Sequence, residues 1–306
     1  MKPQACIVVG SANMDLVVTT DRFPFPGETV MGNTFAAIPG GKGANQAVCC
    51  GKLGGRVNFV GKMGNDRFCE QLRKSMQHDG VMLGHALTDP RHSTGIAVIT
   101  VDASGQNEIV VIPGSNMSLT PRDIDAHRRV FKHGGVLLLQ LEIPVRTVSR
   151  AATLAKQAGL CVILNPAPAR ALPDSLLRCV DILTPNETEA GILAGVKVNS
   201  LRAAEKAARH LLNRGVGNVL VTLGAKGSLL VNHVVARLYP AKRVRAVDTT
   251  AAGDAFNGAL AYALSTGLNL EDAIPFANDV ASISVTRFGA QSSMPTLAEV
   301  ERFRRR

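Results

Sequence analysis

Asp254 stands at the seam between a run of small and polar residues and a long apolar run, in "VDTTAAGDAFNGALAYAL", residues 247–264. The first four amides of a helix have no partner inside it. Small residues leave those amides open to a ligand, and the helix dipole favours an anion there. A carboxylate in that place is either a plain cap or a base beside a phosphate. A second candidate is "PGGKGANQA", residues 39–47, a glycine-rich turn into a helix. It is not a P-loop, because Ala36 occupies the first glycine position and Gly43 follows Lys42. It is not GxGxxG either, because Gln46 takes the third glycine. Lys42 and Asn45 could grip sugar hydroxyls or phosphate there; the alternative is a tight turn with a solvated lysine.

The elements that must position these residues are short apolar runs alternating with helix-like stretches. Strand candidates are "ACIVVG", "VNFVG", "VLLLQLE", "CVILNPAP", "DILTPN" and "NVLVTLG". Helix candidates span 43–53, 66–78, 145–158, 187–194, 201–213, 253–265, 270–286 and 297–303. Continuous apolar strands separated by helices imply an α/β fold with a mostly parallel sheet covered on both faces. Residues 16–38 and 94–112 carry no crossover helix and read as hairpin-like, with Pro-Gly and Ser-Gly turns. They are expected to form one small sheet over the site; the alternative is edge strands of the main sheet. The expected division is a core of 1–12, 39–93 and 113–306 with a β lid of 13–38 and 94–112.

In open α/β sheets, ligands bind beyond the carboxyl ends of the strands. Polar residues collect at those ends here. Asn13 and Asp15 follow the first strand candidate and Glu142 ends "VLLLQLE". Asn165 follows "CVIL"; Asn186, Glu187 and Glu189 follow "DILTP"; Thr222 and Gly224 end "NVLVTLG". Any one of them could be a turn or cap residue; the recurrence at equivalent positions points to a site.

The chain of 306 residues is long enough to bury roughly three quarters of its unfolded surface. No apolar stretch approaches the ~18 residues of a membrane span, and the start lacks a secretory pattern, so a cytoplasmic location is expected. A net charge of +10 is a solvated basic surface or an attraction for an anionic ligand such as a nucleotide. Aromatic residues are only 4%, which argues against stacking platforms for nucleic acid. The six cysteines show no metal spacing and read as free, buried thiols. The sequons at Asn116 and Asn186 carry no meaning in the cytoplasm.

In order along essentially the whole chain, "GSANMD", "FPFPGET", "GGKGANQA", "LLLQLE", "LNPAPA", "TPNETEA", "VTLGAKG", "DTTAAGDAFNGAL" and "VTRFGAQSSMP" resemble segments of the ribokinase-like (PfkB-type) sugar kinases. The family's general form at the helix start is Gly-Ala-Gly-Asp; here Ala251 replaces the first glycine, which points to the ribose branch. The resemblance implies a three-layer α/β/α sandwich with a small β-sheet lid that also forms a homodimer contact. It implies ATP-dependent phosphorylation of the primary hydroxyl of D-ribose to D-ribose 5-phosphate, with 2-deoxyribose, fructose or a nucleoside as other acceptors. Asp254 then matches the base, and the amides of Ala251, Ala252, Gly253 and Asp254 match the anion hole. Asn13, Asp15, Gly41, Lys42, Gly43, Asn45 and Glu142 match sugar contacts. Asn186, Thr222, Gly224, Gly227, Gly253 and Asn278 match the ATP side, and Glu189 matches the organiser of Mg²⁺ through water. Asp248, Thr250, Ser284, Arg287, Gly289 and Ser293 match a loop for a monovalent cation, K⁺. Neither a nucleic-acid nor a membrane partner is implied. Two rivals remain: a non-catalytic sugar or nucleotide sensor, which has no need of Asp254, and a dinucleotide oxidoreductase, for which no GxGxxG follows the first strand.

Overall fold

The computed structural model describes residues 4–305. Its strands are β1 (Ala5–Val9), β2 (Asn13–Thr20), β3 (Gly32–Gly40), β4 (Val57–Val60), β5 (Lys62–Gly64), β6 (Val81–Met82), β7 (Leu87–Asp89), β8 (Gly95–Val101), β9 (Asn107–Ile112), β10 (Gly134–Leu139), β11 (Cys161–Leu164), β12 (Ile182–Leu183), β13 (Asn218–Thr222), β14 (Ser228–Val231) and β15 (Ala236–Tyr239). Its helices are α1 (Lys42–Lys52), α2 (Arg67–His78), α3 (Pro121–Ala126), α4 (Val145–Gln157), α5 (Asp174–Leu177), α6 (Glu187–Ala194), α7 (Leu201–Asn213), α8 (Ala252–Ser265), α9 (Leu270–Ser284) and α10 (Leu297–Arg304).

Nine strands form one sheet in the order β15-β14-β13-β12-β11-β10-β1-β4-β6. From β13 to β6 every pairing is parallel, and only the β13–β14–β15 edge is antiparallel. Side chains alternate across a strand, and both sets here are apolar. Cys6, Val8, Phe59, Leu138 and Ile163 pack with residues of α1, α8 and α9 on one face. Ile7, Val9, Leu137, Leu139, Val162 and Leu164 pack with α4, α6 and α7 on the other. That double burial explains why these strands read as unbroken apolar runs. It also makes a three-layer sandwich in which the parallel strands end on one side.

A separate four-stranded sheet, β3-β2-β8-β9, is built from the two segments without crossover helices, so they are not edge strands of the main sheet. The order β2–β8 is parallel, flanked by two antiparallel hairpin pairings. The helix candidates lie within one or two residues of α1, α2, α4, α6, α7, α8, α9 and α10. The apolar patterning does not show the short strands β5, β6 and β7, the β14–β15 hairpin or the short helices α3 and α5. Three of the four residues of β15 are exposed, so it has no apolar run to read. Helix α3 did carry a signal: Thr120 and Asp123 form a capping box on either side of Pro121.

Candidate active site

The site forms where β1, β10, β11 and β12 end against the starts of α1 and α8. Helix α1 begins hard against the turn after β1. A Cβ on Gly41 would lie 2.6 Å from the Asn13 amide, and one on Gly43 2.6 Å from the Ser11 amide. Only glycine permits that approach, and Gly41 also has φ +87°. Glu142, just beyond β10, locks the junction: its Oε2 accepts from Ser11 Oγ at 2.5 Å and from the Lys42 amide at 3.0 Å. Across the site, α8 approaches α1 at Gly258, where a Cβ would lie 2.6 Å from the Gln46 carbonyl oxygen and from Cys49 Cβ. Gly258 is one turn after Asp254, so the same close packing brings the α1 amide side chains to the Asp254 carboxylate.

Asp254 is only 5% exposed. Its Oδ2 accepts from Asn45 Nδ2 at 3.0 Å and its Oδ1 from Gln46 Nε2 at 2.9 Å. The carboxylate therefore does not cap its own helix. At the start of α8, the Ala252 amide reaches back to Thr249 O at 3.3 Å. The amides of Ala251, Gly253 and Asp254 meet no acceptor among the described residues. Gly253 is exposed, with open space where a side chain would be. The turn that presents these amides depends on Ala251, which adopts φ 58° and ψ 14°, the left-handed region.

Asp15, at the start of β2, has no hydrogen-bond donor among the described residues; burial first, then the charges of Glu142 and Asp254, push its pKa up to about 7. Lys42 sits among the opposite charges. Asp254 above all raises its pKa, burial opposes this, and Glu142 and Glu189 add to it. Asn13 Oδ1 accepts from Asn116 Nδ2 at 2.7 Å, which leaves its own amide hydrogens for a ligand. Asn45 Oδ1 is buried without a partner among the described residues. The sugar-side candidates Asn13, Asp15, Gly41, Lys42, Gly43, Asn45, Glu142 and Asp254 thus converge on one place. Its unpaired groups are an acceptor carboxylate, an amide oxygen and an ammonium, a set suited to a polyol.

The nucleotide-side candidates follow along the next strand ends. Asn186 caps α6 in a capping box with Glu189, the two bonds being 2.8 and 2.9 Å, and bridges to Thr222. Burial raises the Glu189 pKa, the Asn186 amide and Lys42 lower it, and Asp254 raises it slightly. Gly224 and Gly227 bound the turn after β13, both with positive φ. Asn278 is tied to the edge hairpin, accepting from Ser228 Oγ at 3.2 Å and donating to Tyr239 O at 3.0 Å. Among the described residues no three His, Cys, Asp or Glu side chains converge as a metal cage. A divalent ion suits this site only as the companion of bound phosphates.

Of the cation-loop candidates, Asp248 joins Thr250 and Gly289 directly, accepting from their amides at 2.8 and 2.9 Å. Burial raises its pKa, but those bonds outweigh burial and hold it below the usual carboxylate range. Ser284 and Ser293 turn their hydroxyls to Ala281 O and Ala290 O, and Arg287 pairs with Glu299 at 2.6 Å. Oxygen ligands for a large cation would therefore be carbonyls more than side chains.

The spacing of motifs does not reveal Gln46, Gln140, Asn116 or Asn257. Asn116 is 1% exposed and braces both Ala12 and Asn13. The one signal available was a buried-type helix stretch carrying two adjacent amides, Asn45 and Gln46.

A buried carboxylate at a helix start with free amides, beside a cluster of polar groups suited to a polyol, fits phosphoryl transfer to an alcohol. The pfkB family carbohydrate kinase profile matches residues 4–297, and the chain belongs to that family: it is a sugar kinase. A ribokinase of Haemophilus influenzae is 42% identical over 97% of each chain. A deoxyribokinase of Salmonella typhi is 38% identical over 97% of each chain. The Arabidopsis thaliana ribokinase structure complexed with ribose and ATP superimposes with a TM-score of 0.94 at 36% identity, covering 98% of each chain.

Proposed function

We propose that the protein transfers the γ-phosphoryl group of ATP to the primary hydroxyl of D-ribose, giving D-ribose 5-phosphate and ADP. The observation that carries this reading is the buried Asp254 carboxylate standing directly beside helix-start amides without protein partners. In the proposed step the hydroxyl proton passes to Asp254 and the sugar oxygen bonds the γ-phosphorus. The bond from that phosphorus to the β,γ-bridging oxygen breaks and ADP leaves. The Ala251, Gly253 and Asp254 amides and Lys42 stabilise the charge on the transferring group.

Asp15 supports a vicinal diol as acceptor, since a carboxylate without a donor can take two adjacent hydroxyls. The Haemophilus and Arabidopsis relatives, both named ribokinases, support ribose; the Salmonella relative makes 2-deoxyribose the second candidate. Asn186, Thr222, Gly224, Gly227 and Asn278 hold the nucleotide side in this reading. Mg²⁺ bound with ATP neutralises phosphate charge, and Glu189 would hold its water shell. K⁺ in the Asp248 loop would stiffen the turn that presents the anion-hole amides. The β2-β3-β8-β9 sheet serves as lid and homodimer contact, and the enzyme acts in the cytoplasm. A coupled ADP-release assay across pentoses, 2-deoxyribose, hexoses and nucleosides tests the reading. Highest kcat/KM with ribose is expected; turnover of another acceptor in its place would reassign the substrate, and no turnover of any would overturn the reaction.

A further inference from the structure

The base reading, on which this inference rests, leaves one question open: what aims the Asp254 carboxylate? An isolated carboxylate can rotate about its last bond, and both oxygens would then compete for the proton. Here the answer starts from a fixed backbone acceptor. The Thr184 carbonyl can only accept, so Asn165 must turn its Nδ2 toward it, at 3.2 Å. That places Asn165 Oδ1 toward Gln46, and only Gln46 Nε2 can meet it, at 3.2 Å. The other hydrogen of the same nitrogen goes to Asp254 Oδ1. Gln46 Oε1 is also committed, accepting from Gln140 Nε2 at 2.5 Å. Flipping the Gln46 amide would set its oxygen against two acceptors and its nitrogen against a donor. The circuit closes on α8 itself: Thr184 Oγ1 donates to Asn257 at 2.6 Å, and Asn257 Nδ2 donates to Gly253 O at 2.8 Å. Thus the carboxylate and the turn that carries the free amides are held by one buried network.

We propose that Gln46 is the positioning residue for the base: it fixes Asp254 Oδ1 and leaves Oδ2, next to Asn45, as the oxygen that receives the hydroxyl proton. Oδ2 keeps one lone pair beyond its bond from Asn45, and Asn45 Oδ1 is the unpartnered acceptor on the same side. Gln46 itself touches no reacting atom. Its effect belongs to the orientation of the transition state rather than to ground-state binding, so it moves kcat and not sugar affinity.

The test uses Gln46→Met, which keeps the shape and removes all three of its side-chain bonds, to Asp254, Asn165 and Gln140, and Gln46→Glu, which turns the donor into a second carboxylate. For Gln46→Met, kcat should fall roughly 10- to 100-fold while the sugar KM stays within about threefold. Gln46→Glu should fall further at pH 8, because like charges then face each other. A residue that only fills space would tolerate both isosteres alike. Retention of more than about a third of wild-type kcat by Gln46→Met, or equal loss in both variants, would overturn the proposal. Should either variant fail to fold by circular dichroism, Gln140→Met one link outward is read in its place. It should lower kcat by about 3- to 10-fold with KM unchanged, and an unchanged kcat overturns the proposal. Asp254→Asn is run in parallel. If that variant stays active the base reading itself has failed; if it is inactive while the Gln46 and Gln140 variants are normal, only the positioning role has.

Discussion

Asp254 and Asp15 occupy the same pocket with opposite surroundings, and each difference has a measurable consequence. Asp254 accepts two amide bonds, from Asn45 and Gln46; Asp15 accepts none among the described residues, and burial and two neighbouring carboxylates push it up to about 7. Asp254→Asn should therefore leave calorimetric sugar affinity nearly intact and lower kcat by about 10²–10⁴-fold. A variant keeping more than about a tenth of the turnover would remove the base assignment. Asp15 predicts a pH effect on stability without sugar. Its folded pKa is raised above the unfolded value of 3.8, so its contribution is fully present below pH 3.8 and is lost as pH rises through about 7. Asp15→Asn carries no such loss. Its melting temperature relative to wild type should be higher at pH 8 than at pH 5, by roughly 2–4 °C. A difference that is flat from pH 5 to 8 would show that Asp15 does not titrate there. Asp254 was legible because the small residues before it mark a helix start within a few positions. Gln46 was not, because its partner lies 208 residues away and a lone Gln on a helix says nothing of what it meets. Asn116 hid for the same reason, its partner lying 103 residues away.

The strands and long helices were legible because burial on both faces writes an unbroken apolar code, seen in β1, β10 and β11. The edge hairpin was not, since three of the four residues of β15 face solvent and only Tyr239 reaches the core. The turn into α8 shows a finer limit. "TTAAGD" announces an anion site, but not that Ala251 must take a left-handed conformation to build it. For an alanine that conformation costs about 1–2 kcal/mol, because Cβ crowds the following carbonyl oxygen. Glycine would remove the strain while making the unfolded chain more flexible, which offsets part of the gain. Ala251→Gly is therefore expected to raise the melting temperature by about 2 °C, with kcat within about threefold of wild type. The proposed role of this turn belongs to its backbone amides, which the substitution keeps. A lower melting temperature in a thermal scan would mean that the alanine methyl, half-buried against the core on the α8 side, contributes more packing than strain.

At the scale of the molecule, the small sheet is the part whose surface is least explained by a single chain. The register places Phe35, Val98, Val110 and Ile112 on one face, and their exposures are 67%, 39%, 64% and 42%. The opposite face, which carries Asp15, also exposes Ile109 and Val111, each at 52%. A sheet apolar on both sides needs cover on both. In the proposed reading the sugar cleft uses the Asp15 side, which leaves the other face for a second copy of the chain, as the proposed homodimer requires. Pairing there is also consistent with a basic molecule of net charge +10, because the paired positions of that face are apolar or uncharged apart from Glu108, opposite Thr100, and carry no cation. Light scattering at tens of micromolar should give the wild-type enzyme twice the monomer mass. Phe35→Lys combined with Val110→Lys should give a monomer, because buried ammonium groups meeting across a two-fold axis are both desolvated and repelled. Those substitutions lie on the face away from Asp15, so Asp254 and its network stay in place and the monomer should keep its fold by circular dichroism. A wild-type monomer at that concentration, or a dimer that survives both lysines, would place the subunit contact elsewhere and leave this sheet as a lid alone.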